Sequence, residues 1–121
     1  MPRQPKRSAH PRAGRLPRRL RALLAEVRSR FEAAYGSRLA ALVLFGSQAR
    51  ADAVRGSDID LLVVLHGEVH PGEEIDRMGG VISALSLAYD VMLSCVFMSA
   101  QQYAAEVSPL LLNIRREGIA V

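Results

Sequence analysis

Cysteine is all but missing from this chain. Cys95 is the only one in 121 residues, so an internal disulfide framework and a thiolate metal site are both excluded. A reducing, cytoplasmic setting suits such a chain. Tryptophan is absent, and no phenylalanine or tyrosine precedes Phe31. The first thirty residues therefore offer no ring on which a nucleic-acid base would stack. No apolar run approaches the ~20 residues that a membrane-spanning helix needs, so the chain reads as soluble with no membrane role. The basic, proline-broken opening also lacks the apolar stretch of a secretory signal.

Acid is scarce at one end only. Residues 1–30 hold ten Arg or Lys and a single acid, Glu26, whereas residues 31–121 hold six basic and eleven acidic residues. The net charge of +4 is thus the sum of a strongly basic leader and a mildly acidic remainder. With little to bury, "MPRQPKRSAHPRAGR" reads as a disordered tail over residues 1–17, and residues 18–121 read as one folded domain. Nucleic acid would be bound, if at all, through that tail by counterion release.

What is present is an alternation of helical and extended patterns. Leu20, Leu23, Leu24, Val27 and Phe31 recur at helical spacing from Pro17 onward, with Gly36 placed to close the helix. "RLAALVLF", 38–45, is a short buried strand, and residues 47–53 suit a short helix after the Gly-Ser turn. "DIDLLVVL", 58–65, is apolar on both pleat faces after its acidic start, as in a strand covered on both sides. Ile75, Met78, Ile82, Leu85 and Tyr89 mark a helix over 74–89, followed by a third strand, "DVMLSCVFM", 90–98. Ser99 and Gln102 have capping-box spacing for a short helix over 100–106, and Ser108-Pro109 opens a last helix that Gly118 stops. This order implies an α/β (α+β) sandwich on a small sheet. If strands 58–65 and 90–98 are parallel, the crossover between them brings Asp58, Asp60 and Asp90 to one edge.

The acidic strand start needs compensation. Residues i and i+2 of a strand share a side, so Asp58 and Asp60 project together with Ile59 turned away. Two close carboxylates push one of the pair toward protonation unless a cation intervenes. A hard divalent ion such as Mg²⁺, which takes oxygen ligands and shares its shell with phosphates, is the natural partner. Ahead of the pair stands a phosphate cradle. Gly46 admits close backbone approach, the N–H groups of Ser47, Gln48 and Ala49 would open a helix toward an anion, and Arg50 follows one turn later. A metal clamp beside an anion hole points to phosphoryl or nucleotidyl transfer.

"GSQARADAVRGSDIDLLVVL" resembles the minimal nucleotidyltransferases of the DNA polymerase beta-like superfamily, with a Gly-Ser turn, a short spacer and Asp-x-Asp on the next strand. The closing "SPLLLNIRREGIAV" is similar to the end of the small prokaryotic members, so the resemblance covers residues 18–121. It implies the nucleotidyltransferase fold, a small mixed sheet flanked by helices. It also implies a nucleoside triphosphate, ATP as co-substrate, at Gly46, Ser47, Arg50 and Ser57, with two Mg²⁺ ions on Asp58, Asp60 and a third carboxylate. It implies transfer of AMP, or of another nucleoside monophosphate, to a hydroxyl of a partner protein. That partner is expected to be a HEPN-domain toxin for which this chain is the antitoxin.

Two departures stand out. Ala51 and Asp52 follow Arg50 where many relatives carry Gly, and the third strand holds no acid within "VMLSCVFM". Asp90, at its start, is the only candidate for the third carboxylate; strand parity puts it on one face with Met92 and Ser94. Otherwise it caps the end of the preceding helix. A catalytically weak module that neutralises its partner by direct binding is the alternative. His66 and His70 are four apart, but Gly67 and Pro71 break a helix there and with it a metal site. Cys95 reads as a packed apolar side chain, Tyr35, Tyr89 and Tyr103 as core or rim, and Arg115 and Arg116 as charges suited to a helix end.

Overall fold

A computed structural model of the chain describes residues 16–46 and 58–121. The leucine periodicity produces helix α1 (Arg18–Tyr35), which buries Leu20, Leu23, Leu24, Val27, Phe31 and Tyr35 along one stripe. Gly36, at φ +54°, ends it and donates its N–H to the Glu32 carbonyl. After a 3₁₀ turn (Gly36–Arg38) come strand β1 (Leu39–Phe45) and strand β2 (Asp58–Leu65). Helix α2 (Pro71–Tyr89), strand β3 (Met92–Ser99), helix α3 (Ala100–Ala105), helix α4 (Pro109–Glu117) and the two-residue strand β4 (Ile119–Ala120) complete the order.

The sheet runs β3-β2-β1-β4. β2 is parallel to β3, and β1 is antiparallel to both β2 and β4. The expected mixed sheet flanked by helices is therefore observed, with a parallel crossover through α2. β2 is central, and Leu61 to Leu65 are buried in succession because helices cover both faces. One face carries Ile59, Leu61, Val63, Leu65, Leu42, Leu44, Leu93 and Phe97 against α1 and α2. Phe31 stacks on Phe97 there, ring centroids 6.4 Å apart. The other face carries Leu62 and Val64 against Met98, Leu111 and Ile114, so α3 and α4 cover only its far half. At ~1.5–3 kcal/mol for each fully buried aliphatic or aromatic side chain, the first cluster supplies most of the driving force.

Two boundaries differ from expectation by two residues or more. α2 begins at Pro71 rather than 74, because proline at the first helical position sacrifices an N–H that has no partner there anyway, and Glu73 and Glu74 then suit the first turn. β3 begins at Met92, two residues later than expected. Asp90 is left-handed, φ +55°, and its N–H bonds to the Leu87 carbonyl (3.4 Å) while that of Val91 bonds to Ser86 (3.0 Å). That is a Schellman closure with Asp in the position usually given to Gly. Ser99 caps α3 through the Gln102 N–H at 3.0 Å, as its spacing implies, and Ser108 caps α4 through Leu111 at 3.2 Å. The short helix expected over 47–53 and residues 1–15 of the tail expected over 1–17 lie outside the described residues, while Leu16 is buried in the core. No described helix is long and apolar enough to cross a membrane.

β4 is a strand that the sequence pattern did not announce. Gly118 makes it possible by passing where no side chain fits: a Cβ there would sit 2.5 Å from the Ile114 carbonyl oxygen and 2.6 Å from Val43 Cγ1. The first obstacle is backbone and cannot swing away. Gly118→Ala is expected to cost about 1–3 kcal/mol by overpacking, measured as a lowered urea midpoint; an unchanged midpoint would contradict this packing.

Candidate functional site

The site is built where β1 ends and β2 begins. Asp58 and Asp60 occupy the first and third positions of β2, with buried Ile59 between them turned to the opposite face. The i, i+2 expectation holds. In the ladder, Asp60 lies between Phe45 of β1 and Ser94 of β3, and Asp58 is in register with Met92. All five residues share one face, since register partners point to the same side; Phe45 packs on the cluster of Leu62, Leu111 and Ile114, and the sheet beyond it is the half that α3 and α4 leave open. Met92 and Ser94 are correspondingly exposed.

Gly46 comes close to one member of this pair, Asp60. The φ of Gly46 is +80°, and a Cβ built on it would stand 2.7 Å from Asp60 Oδ2. The turn therefore needs glycine twice, for its backbone and because the Asp60 carboxylate fills the space of a side chain. Burial raises the pKa of Asp60 above the ordinary carboxylate value, and the neighbouring Asp58 charge raises it further. This is the tension anticipated for two close carboxylates. A divalent cation would relieve it by favouring the ionised form of both. Hard carboxylate oxygens paired beside a side-chain-free backbone fit Mg²⁺ and an attached phosphate.

The other expected residues divide. Ser47, Arg50 and Ser57 lie outside the described residues. Asp90 sits in the turn that closes α2, ahead of the β2–β3 ladder, and among the described residues no three His, Cys, Asp or Glu come together as a possible metal site. The cap alternative thus matches its backbone. Burial pushes the Cys95 thiol up to about 12, in keeping with its reading as a packed, unreactive side chain. His70 precedes α2 and lies 3.5 Å from the Glu68 carboxylate, and no helix spans it and His66. Arg115 donates to the Tyr103 and Glu106 carbonyls and stacks 5.3 Å from the centre of the Tyr103 ring, so it ties α4 to α3.

Sequence reading missed the Phe45 and Ser94 flanks of Asp60. Only strand parity hinted at Ser94. It also missed a buried polar cluster at the opposite end of β2, where Glu74, 3% exposed, accepts a hydrogen bond from Tyr35 Oη at 2.7 Å and another from Arg77 Nε at 3.2 Å. Arg38 stands 3.9 Å from the other Glu74 oxygen.

A family model described as a nucleotidyltransferase domain matches residues 20–109. Among solved structures, the chain is similar to one described as "Crystal structure of the toxin-antitoxin with AMP-PNP", with a TM-score of 0.54 and 19% sequence identity. The match covers 75% of this chain and 66% of that one, just under two thirds of its length. At that identity the likeness concerns the fold. No curated protein matches the chain.

Proposed function

This chain belongs to the nucleotidyltransferase domain family, and from that premise we propose that it moves AMP from ATP to a hydroxyl of a partner protein. The partner in this reading is a HEPN-domain toxin, and the chain its antitoxin. The observation that carries the proposal is the contact between Gly46 and Asp60: a phosphate-type turn is packed against one of two carboxylates on a common face. The structural relative, a toxin-antitoxin solved with AMP-PNP, supports the choice of adenine nucleotide and of a protein partner.

In this proposal Asp58 and Asp60 hold Mg²⁺, and the Gly46 backbone leaves room for the triphosphate. Ser47, Arg50 and Ser57 complete the nucleotide contacts. Bound Mg²⁺ supplies charge neutralisation of the triphosphate. The acceptor oxygen forms its bond to the α-phosphorus, the bond from that phosphorus to the bridging oxygen breaks, and pyrophosphate departs with the electron pair. The acceptor's proton passes to a carboxylate oxygen of the site or to water. Such catalysis rests on positioning and electrostatics, which a small domain can provide if the acceptor brings its own surface.

The test is incubation of the purified chain with labelled ATP, Mg²⁺ and the product of the adjacent gene. Label is expected on the partner, and Asp58→Ala or Asp60→Ala is expected to reduce it by about 10²-fold or more. An unlabelled partner would reject the enzymatic reading. The second reading, a binding module that neutralises by direct complex formation, is favoured by the lack of a three-carboxylate group among the described residues. A complex that survives both substitutions without label transfer would establish it instead.

A further inference from the structure

The strands beside the carboxylate pair define what else can reach a metal there. Strands of a sheet lie ~4.8 Å apart, so register partners on one face are nearest neighbours. On the β1 side Asp60 meets Phe45, a hydrocarbon ring. On the β3 side Asp58 meets Met92, a thioether 59% exposed, and Asp60 meets Ser94. Of these three flanking residues only Ser94 offers an oxygen, and it is neutral. Soft sulfur is a poor ligand for a hard ion. Asp90 precedes the ladder, with its backbone committed to the α2 closure.

We infer that Ser94 forms the third side of the divalent-ion centre and that this uncharged flank limits its affinity. The inference rests on the reading that Asp58 and Asp60 hold a divalent ion. Two carboxylates balance one such ion, so the chain without nucleotide takes one; a second requires the negative charge of the triphosphate. The hydroxyl contributes directly or through a metal-bound water, since Mg²⁺ keeps much of its hydration shell. Placing a carboxylate at position 94 adds the missing charge on the correct face.

Mn²⁺, a hard divalent ion visible by paramagnetic resonance, reports binding to the full chain with no nucleotide and no turnover. The wild-type chain is expected to bind one Mn²⁺, with Asp58→Asn weakening it about tenfold or more by removing half the ligand charge. Ser94→Asp is expected to tighten binding about tenfold or more, whereas the neutral Ser94→Asn stays within about threefold. Asp90→Asn, which suits the left-handed position, is expected to stay within about twofold. Thermal melting of each variant confirms folding, and the Asp90 result stands even if Ser94→Asp does not fold. If Asp58→Asn weakens binding but Ser94→Asp leaves it unchanged, the inference fails and the underlying reading survives. Loss in Asp90→Asn equal to that in Asp58→Asn overturns it in favour of Asp90. Binding indifferent to Asp58→Asn removes the reading and the inference together.

Discussion

Gly46→Ala is expected to leave the protein folded and to reduce nucleotidyl transfer by about two orders of magnitude, the scale set by misplacing a reacting group by ~1 Å. Two costs follow from the added methyl group, and they fall in different places. The left-handed backbone at φ +80° penalises a Cβ by about 1–2 kcal/mol, which lowers stability modestly. The 2.7 Å approach to Asp60 Oδ2 is relieved by turning that carboxylate aside, because its end is free to rotate while the backbone is not. Folding is spared, but the carboxylate proposed to hold the metal is displaced. Transfer assays and Mn²⁺ affinity should therefore fall together while the urea midpoint shifts only slightly. A variant with full Mn²⁺ affinity would show that Asp60 does not need this clearance.

The second large effect concerns stability, at the far end of β2. From Asp58 to Leu65 the strand covers roughly 20 Å at ~3.3 Å per residue, so the Glu74 cluster is remote from the candidate site. Glu74→Ala is expected to cost about 3 kcal/mol, combining a cavity with a buried Tyr35 hydroxyl left unsatisfied. For a domain near this size that lowers the melting temperature by roughly 10–15 °C. The ion pairs themselves contribute little of this, because the Arg38 and Arg77 side chains are 39% and 53% exposed and remain solvated when Glu74 is removed. Removing both ends of the buried hydrogen bond, Tyr35→Phe with Glu74→Leu, should recover most of the loss. A double variant no better than Glu74→Ala would show that the cluster does more than satisfy Tyr35.

Acid should reveal the same cluster. Burial works to raise the pKa of Glu74, but hydrogen bonds from Tyr35 and Arg77 and the charges of Arg77 and Arg38 outweigh it, leaving the carboxyl below its ordinary value of 4.5. A depressed native pKa means that the unfolded chain binds the proton first. The stabilisation is complete above that ordinary value and disappears as pH falls through the lower native one. The wild-type acid limb should therefore be steeper than that of Glu74→Ala in this window. Burial and the bonded Glu74 charge raise the Tyr35 hydroxyl pKa well above its usual range, so that group stays a donor throughout.

Much of the architecture was legible because the chain's period changes cleanly. Leucines at helical spacing gave α1, and an apolar run after an acidic start gave β2 with its observed bounds. The same-side placement of Asp58 and Asp60 followed from strand parity alone; the upward shift of Asp60 comes first from its burial, which no local pattern announces, and second from the Asp58 charge. Legibility failed where a residue's usual preference yielded to context. Pro71 reads as a breaker yet starts α2, and Asp90, which reads either as a strand opener or as a cap of the preceding helix, adopts the left-handed turn that ends α2. β4 has two residues and exists only through pairing with Val43 and Leu44, a contact no local pattern can announce. Nothing in the local sequence sets Glu74 apart. Its burial depends on Tyr35 and Arg38, which lie more than thirty positions away.

The sheet order leaves β3 with a neighbour on one side only among the described residues. Its sequence, MLSCVFMS, contains neither a charge nor a proline, the devices that usually discourage further pairing along a free margin. Such a strand is a template on which another extended chain can add. Concentrated preparations of the isolated protein are therefore most exposed to aggregation at β3, and a ligand or partner that shields this margin would improve solubility without altering the interior.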